Sequence, residues 1–354
     1  MGNGALPNGP SYRAHPRLYR NRPPAMSADW SLSGGKRTSV GHPISVAFDP
    51  LLPKTVGRAC LALRRLVTVT ASDIETPPMS ETLFRDGAGF FVYCDRTAHA
   101  PRKIRVFYWC PRSGVSDAPI VVAMHGMDRA AAEFRDVMAL QGARNGQIVL
   151  VPEFDTNQFP DFYAYNFGGV CLPPPSNIVH PREQWNFGIV DRLFAHVRDS
   201  IGSTRRFFGL FGNSAGAQFV LRYLALTEAP AVDAAVAANC GVYMLLDLTA
   251  EYPIGMGGLD LDDGHLRTYL GRRLVILLGD ADNDPSAPDL PRMDYAMAQG
   301  PHRLARGLWY FQHCMQHADS LGATFGWRLE IAHGAGHVGQ QVYDKGADIL
   351  KDHM

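Results

Sequence analysis

RRFFGLFGNSAGAQFVLRYLAL is the sequence of residues Arg205–Leu226, in which two apolar runs flank a short glycine-rich segment. The apolar run Phe207–Phe211 predicts a buried strand, and the apolar residues from Ala217 onward predict a helix. Between them lies the pentapeptide GNSAG at positions 212–216, which has the pattern G-x-S-x-G. A serine on such a sharp turn is exposed but strained, and the flanking glycines lack the Cβ atoms that would clash there. The stretch therefore predicts a strand–turn–helix unit that presents Ser214 as a nucleophile.

The G-x-S-x-G pattern is a weak signal when it stands alone. Glycine accounts for 35 of the 354 residues, so such a pentapeptide arises readily by chance. The alternative interpretation is a glycine-rich turn that only lets a strand and a helix pack closely. The predicted strand before the pattern and the predicted helix after it favour a nucleophile elbow.

The composition bounds the class of protein. An apolar fraction of 46% is ample for the core of one large domain. The formal net charge is zero, so we expect no nucleic-acid partner. No apolar run is long enough to cross a bilayer, so we expect no membrane partner either. The sequence leaves the choice between monomer and homodimer open.

The cysteines indicate the redox compartment. Six are scattered along the chain without a C-x-x-C pair: Cys60, Cys94, Cys110, Cys171, Cys240 and Cys314. The pattern is typical of free, mostly buried thiols in a reducing compartment, although one or two disulfides are compatible with it. We therefore expect a cytoplasmic protein.

Residues 1–78 differ from the rest of the chain. They are rich in proline, glycine, serine and arginine, poor in acids, and without a sustained period, so we predict a disordered or loosely attached arm. Their one apolar run, Cys60–Val69, is interrupted by Arg64 and Arg65, unlike the core of a signal peptide. Met79 begins a stretch typical of a domain start, which suggests the hypothesis that translation begins there. We expect one domain over residues 79–354.

From Gly87 onward, predicted strands alternate with predicted helices. The strands are Phe90–Cys94, Ile104–Cys110, Ala118–Met124, Gln147–Val151, Phe207–Phe211, Val232–Asn239, Leu274–Leu278 and Trp327–Ile331. The helices are Ala130–Gly142, Trp185–Ser200, the one that begins at Ala217, Leu304–Leu321 and Gln340–Leu350. The first two strands would pair as an antiparallel edge. The alternation predicts an α/β fold, a mostly parallel central sheet with helices on both faces. The interval between the strands at Val232 and Leu274 is too short for a large lid domain.

Two polar loops follow predicted strands, at the sheet edge where active sites of such folds form. The first is GDADND at positions 279–284, and the second is AHGAGH at positions 332–337. A serine hydroxyl becomes a nucleophile when an imidazole takes its proton, and a buried carboxylate then orients that imidazole. The chain order of serine, acid and histidine is the one that α/β-hydrolases use.

Each loop offers more than one candidate residue. We assign His337 rather than His333 as the general base, because the glycines before it suit a tight loop that turns back towards the serine. We favour Asp282 as the acid. Asp280 and Asp284 stay open as alternatives, and their other interpretation is that they form turns before the following proline.

Acyl transfer also needs hydrogen-bond donors for the developing oxyanion. One would be the backbone N–H of Ala215, directly after the nucleophile. The other would come from the loop His125-Gly126-Met127 after the third predicted strand, with the Met127 N–H as donor. For His125, a structural role in holding this loop is favoured over catalysis.

Five motifs in this order, VVAMHGM, YNFGG, GLFGNSAGAQF, LLGDADND and HGAGH, resemble those of the polyhydroxybutyrate-depolymerase-like and feruloyl-esterase-like α/β-hydrolases. The resemblance covers about residues 79–354. It implies an α/β-hydrolase fold and a serine esterase with Ser214, Asp282 and His337 as triad. It also implies an oxyanion hole from the Ala215 and Met127 amides, with no metal or organic cofactor. Family members that act on polymers are usually secreted, with disulfides and extra binding domains, and none of these features is evident in this sequence.

The substrate would be a small-molecule ester or the ester at a polymer end. We expect the aromatic-rich segment Phe154–Gln184 either to line the substrate site or to pack onto the sheet. Four residues are expected at the substrate: His125, Gly126, Asn213 and Tyr165. A serine peptidase or amidase shares this fold and triad, and a non-catalytic binding protein of the same fold is a further alternative. A nucleic-acid or membrane role for the arginine-rich arm is less favoured than a solvated tail.

Overall fold

The structure, a computed structural model, describes residues 83–96 and 101–353. Eight strands form one sheet in these residues. They are β1 (Gly87–Asp95), β2 (Arg102–Cys110), β3 (Ile120–Met124), β4 (Ile148–Pro152), β5 (Phe208–Asn213), β6 (Val232–Ala238), β7 (Leu274–Gly279) and β8 (Arg328–Ala332). Every predicted strand is present, with ends that differ by a few residues. The arm over residues 1–78 lies outside the described residues, so its character and the domain start near Met79 stay predictions.

The strand order is β1-β2-β4-β3-β5-β6-β7-β8. β1 runs antiparallel to β2, and β2 runs antiparallel to β4. All the other pairs are parallel. The predicted antiparallel edge and mostly parallel sheet are thus confirmed, and the carboxyl ends of β3, β5, β6, β7 and β8 lie at one edge of the sheet.

Seven helices accompany the sheet in the described residues. They are α1 (Ala131–Asn145), α2 (Gly188–Ser200), α3 (Ala215–Leu226), α4 (Asp263–Leu270), α5 (Asp294–Met297), α6 (Arg303–Leu321) and α7 (Gln340–Lys351). α1 and α7 pack into the core on one face of the sheet, and α2, α3, α4 and α6 pack on the other. Because both faces are covered, every residue of β3, β4, β5 and β7 is buried, which explains their continuous apolar sequences.

The sequence analysis did not predict α4 and α5. With eight and four residues, they are too short to show a helical period clearly. The sequence signal for α4 is its first turn, where Asp262 and His265 form a reciprocal capping box in which histidine stands in place of the more usual Glu or Gln. The interval between β6 and β7 carries α4 and buried residues such as Tyr243, and no separate lid domain forms there.

Two properties of the described residues bear on the expected compartment and partners. Their five cysteines are free thiols, and four of them are buried, while Cys94 is exposed. No helix among the described residues has the length and apolar character that a bilayer crossing needs. Cys60 lies outside the described residues.

Candidate active site

Ser214 lies on the turn between β5 and α3. Its backbone has φ 57° and ψ −114°, a conformation that non-glycine residues rarely adopt. A Cβ on Gly212 would overlap the backbone of Gly216, and a Cβ on Gly216 would overlap the carbonyl of Met124 at the end of β3. Both glycines are therefore required by close backbone approach. The strained turn leaves the Ser214 side chain half-buried at the carboxyl edge of the sheet.

The loops after β7 and β8 bring an acid and a histidine to this serine. His337 Nε2 lies 3.0 Å from Ser214 Oγ, and His337 Nδ1 lies 2.9 Å from Asp282 Oδ2. The Asp282 side chain is 6% exposed and that of His337 is 19% exposed. The three side chains thus form one continuous hydrogen-bonded chain from a buried carboxylate to a half-buried hydroxyl.

The alternative residues of the two loops bond elsewhere. Asp280 accepts a hydrogen bond from the backbone N–H of Gly334 at 2.7 Å and lies 2.9 Å from the ring of His333. The His333 side chain is 86% exposed. Asp284 accepts hydrogen bonds from the N–H and hydroxyl of Ser286. Asp280 and Asp284 therefore shape their loops, and neither makes a hydrogen bond to the histidine beside Ser214.

A buried arginine stands behind the acid. Arg303, the first residue of α6, is 3% exposed and places Nη1 3.4 Å from Asp282 Oδ1. Its Nη2 lies 2.9 Å from Asp289, a residue of the same loop as Asp282. Because the guanidinium is shared by two carboxylates, the charge of buried Asp282 is partly balanced. No local sequence pattern indicates this pairing, because it joins a loop residue to the first residue of the next long helix.

Asn239, directly after β6, ties the acid loop to the histidine loop. Its Oδ1 accepts a hydrogen bond from the Gly279 N–H at 2.8 Å. Its Nδ2 donates to the carbonyls of Gly336 and His337, each at 3.0 Å. Asn239 is 1% exposed and has φ 48°, a left-handed conformation that asparagine tolerates better than most residues. Asn239 was not among the predicted site residues, because it was assigned to the end of the predicted strand Val232–Asn239 and not to a loop after it.

We expect Asn239→Ala to lower both stability and turnover. The change removes three buried hydrogen bonds and leaves their backbone partners unsatisfied, which costs about 2–4 kcal/mol in free energy of unfolding. The His337 loop would then sample other positions, so we expect kcat for an ester substrate to fall about 10- to 100-fold. Urea unfolding and steady-state kinetics measure the two effects. A kcat within twofold of wild type would contradict the positioning role of Asn239.

The loop after β3 is built around a buried histidine. His125 is fully buried, its Nε2 accepts a hydrogen bond from the Phe154 N–H at 3.1 Å, and its Nδ1 lies 2.9 Å from the Gly126 carbonyl. These partners fix the neutral tautomer that carries its proton on Nδ1. The carbonyl of His125 accepts a hydrogen bond from the Tyr165 hydroxyl at 2.7 Å. The side chain of His125 is therefore fully engaged in holding this loop in place.

Two solved structures are similar to this chain in sequence and in fold. Poly(aspartic acid) hydrolase-1 of Sphingomonas sp. KT-1 has 32% identity to the chain and a TM-score of 0.72, over 75% of this chain and 99% of that one. The poly(3-hydroxybutyrate) depolymerase LpqC of Bordetella parapertussis has 31% identity and a TM-score of 0.72, over 77% of this chain and 91% of that one. This chain belongs to the polyhydroxybutyrate-depolymerase-like α/β-hydrolases. No protein-family model and no curated protein matches the chain.

Three of the four residues expected at the substrate of this hydrolase are buried, and the fourth, Gly126, is not. His125 and Tyr165 are fully buried, so contact of their side chains with a substrate is not supported, and both instead hold the loop after β3. Asn213, 3% exposed at the end of β5, donates a hydrogen bond to the His337 carbonyl at 3.4 Å. Gly126 is half-buried on the loop after β3, and it is the one residue of the four that is not buried.

The aromatic residues between β4 and α2 pack onto the sheet of the hydrolase. Seven of them are at most 5% exposed: Phe154, Phe159, Tyr163, Tyr165, Phe167, Trp185 and Phe187. Phe154 contacts Phe219 of α3, with ring centroids 5.4 Å apart. Of the two expectations for this segment, packing onto the sheet is the one that the structure supports.

The burial of His125 predicts a pH dependence of the hydrolase's stability. Burial lowers the pKa of His125 to about 4, below its ordinary value of 6.5. Because the pKa of His125 is lower in the folded than in the unfolded state, neutral His125 stabilises the fold fully above about pH 6.5. This stabilisation is lost as the pH falls towards 4, and its total is about 3 kcal/mol in free energy of unfolding. Between pH 7 and pH 5, we expect wild type to lose about 2 kcal/mol more free energy of unfolding than His125→Gln. Urea unfolding at both pH values tests this, and equal losses would contradict it.

Proposed function

We propose that this hydrolase cleaves carboxylic esters by nucleophilic catalysis, through an acyl-enzyme formed on Ser214. The observation that carries the proposal is the hydrogen-bonded chain from Asp282 through His337 to Ser214. As Ser214 Oγ attacks the ester carbonyl carbon, His337 Nε2 takes the hydroxyl proton. The same nitrogen then gives that proton to the leaving alkoxide, which departs as an alcohol. A water molecule repeats both steps on the acyl-enzyme, releasing the acid and regenerating Ser214.

Asp282 would orient the imidazole and stabilise the imidazolium. Its carboxylate lies 2.9 Å from His337 Nδ1, so that the Nδ1 proton is held by Asp282 and Nε2 is left as the acceptor facing Ser214. The low exposure of Asp282 strengthens this interaction because water is largely excluded around it.

Two backbone N–H groups would stabilise the tetrahedral oxyanion. Ala215 is the first residue of α3, where the N–H groups have no acceptor inside the helix and the helix dipole favours negative charge. The second donor would be the Met127 N–H. Because Gly216 contacts the carbonyls of Met124 and His125, the loop that carries Met127 begins directly beside the elbow.

An amidase or peptidase is the second candidate. The observation that favours it is the 32% identity to an enzyme named for poly(aspartic acid), which is a polyamide. A non-catalytic binding protein is less favoured, because His337 lies within hydrogen-bond distance of both Asp282 and Ser214.

Matched ester and amide substrates test the proposal. We would measure kcat/KM for p-nitrophenyl acetate and butyrate and for the p-nitroanilides of the same acids, each divided by its uncatalysed rate. We expect the enzyme to accelerate hydrolysis of the esters. The ratio of kcat/KM for the butyrate and the acetate ester would then indicate the size of the acyl site. Equal or greater acceleration of the anilides would favour the amidase. No acceleration of either would contradict a catalytic role.

A further inference from the structure

The loop that carries Asp282 brings a second carboxylate to the site. Asp289 Oδ2 lies 3.9 Å from His337 Nε2 and 2.9 Å from Arg303 Nη2. The Asp289 side chain is 63% exposed, whereas that of Asp282 is 6% exposed. Asp289 therefore stands on the solvent side of the imidazole, next to the nitrogen that faces Ser214.

This position places Asp289 beside the leaving group. In the proposed reaction, His337 Nε2 passes its proton to the oxygen of the departing alcohol, so that oxygen must come within hydrogen-bond distance of Nε2. An atom 3.9 Å from Nε2 is then close to the substituents of the same alcohol. In the proposed reaction, the carbonyl oxygen of the substrate would instead face the predicted oxyanion donors, the N–H groups of Ala215 and Met127.

Asp289 places a negative charge on the leaving-group side of the site. Partial burial opposes its ionisation, but the Arg303 guanidinium outweighs this effect and holds the pKa of Asp289 below its usual range. Arg303 is itself shared with Asp282, so one positive charge faces two carboxylates. The next cation on the loop, Arg292, donates to the carbonyls of Pro285 and Ala287. Of Asp282, Asp289 and Arg303, only Asp289 is exposed, so the leaving-group side of the site has one carboxylate at its surface.

We propose that Asp289 determines the specificity of the hydrolase for the leaving alcohol, favouring alcohols that bear a positive charge over neutral ones and disfavouring those that bear a carboxylate. The inference rests on the proposed function. It adds a preferred substrate class, esters of cationic alcohols. It also predicts poor cleavage of an ester whose leaving alcohol ends in a free carboxylate.

Three acetate esters of similar shape test the inference. Acetylcholine carries a quaternary nitrogen two carbons from the ester oxygen, and 3,3-dimethylbutyl acetate carries a neutral quaternary carbon at the same position. The third ester, 3-acetoxypropanoate, carries a carboxylate at that position. We expect kcat/KM at about 10 mM salt to be about 5- to 20-fold higher for the cationic ester than for the neutral one. The anionic ester should be poorer than the neutral one by a similar factor.

Two changes should remove the selectivity. Asp289→Asn should bring the ratio of cationic to neutral ester to within about twofold of one, and about 300 mM salt should lower the ratio in wild type. Asp284→Asn is the matched control: it removes the same charge from the same loop, but its carboxylate bonds Ser286. We expect the wild-type ratio to persist in this control.

The outcomes separate the inference from the proposed function. Cleavage of the neutral ester with a wild-type ratio near one, or a ratio that survives Asp289→Asn, would overturn the role of Asp289 and leave the esterase standing. If neither the three acetate esters nor the p-nitrophenyl esters were cleaved, both the role of Asp289 and the proposed esterase function would be overturned.

Discussion

Replacing Ser214 with alanine is expected to lower kcat for p-nitrophenyl butyrate by about four to six orders of magnitude. The change removes the only atom that forms the acyl-enzyme in the proposed mechanism. What remains would be the contribution of substrate binding and of the oxyanion donors. KM should change much less than kcat, because the hydroxyl contributes little to binding the ground state. Steady-state kinetics with highly purified protein measure both constants.

The control for this variant is a serine that the mechanism does not use. Ser320, near the end of α6, donates its hydroxyl to the carbonyl of His317 on the protein surface. Ser320→Ala should keep kcat within twofold of wild type. Thermal unfolding of Ser214→Ala should match that of wild type within a few degrees, since the half-buried hydroxyl bonds only the imidazole. Retention of more than about 1% of wild-type kcat in Ser214→Ala would mean that another residue is the nucleophile.

Asp282→Asn is expected to lower kcat about 10³- to 10⁴-fold. An asparagine of the same shape can present its amide N–H₂ to His337 Nδ1, which would move the imidazole proton to Nε2. Nε2 could then no longer accept the Ser214 proton. The measurement is kcat for p-nitrophenyl butyrate, with thermal unfolding to verify that the variant folds, because Arg303 also loses part of its charge balance.

Asp280→Asn is the matched control for the acid. It makes the same chemical change two residues away, where the carboxylate bonds Gly334 and His333. We expect kcat to stay within about fivefold of wild type, because neither partner contacts Ser214 or His337. If the loss in Asp280→Asn equalled or exceeded the loss in Asp282→Asn, the assignment of the acid would be wrong.

Much of this arrangement could be predicted from the sequence because parallel strands end at a shared edge. Continuous apolar runs marked the buried strands, and the residues that follow them had to meet at that edge. Ser214 and His337 were identifiable for this reason. Asp282 could not be separated firmly from Asp280 and Asp284, since the choice depends on the path of the loop in space. In the structure, Asp282 is buried against His337, Asp280 bonds His333 and Gly334 of the loop after β8, and Asp284 bonds Ser286 within its own loop.

The supporting residues depended on tertiary contacts that no local pattern encodes. Asn239 bonds two loops that lie 40 and 97 residues further along the chain. Arg303 begins a helix and meets a carboxylate 21 residues before it. The aromatic side chains after β4 were equally compatible with a substrate site and with the core, because an aromatic ring suits both. Only the packing of that segment against α3 distinguishes the two.

Covalent labelling tests whether Ser214 is the activated nucleophile. We would treat the intact protein with a fluorophosphonate, measure the mass of the product, and map the modified peptide by tandem mass spectrometry. We expect one phosphonyl group per chain, attached to Ser214, with labelling strongly slowed in Asp282→Asn but not in Asp280→Asn. No adduct on the folded protein, or an adduct on a different residue, would contradict the role of Ser214.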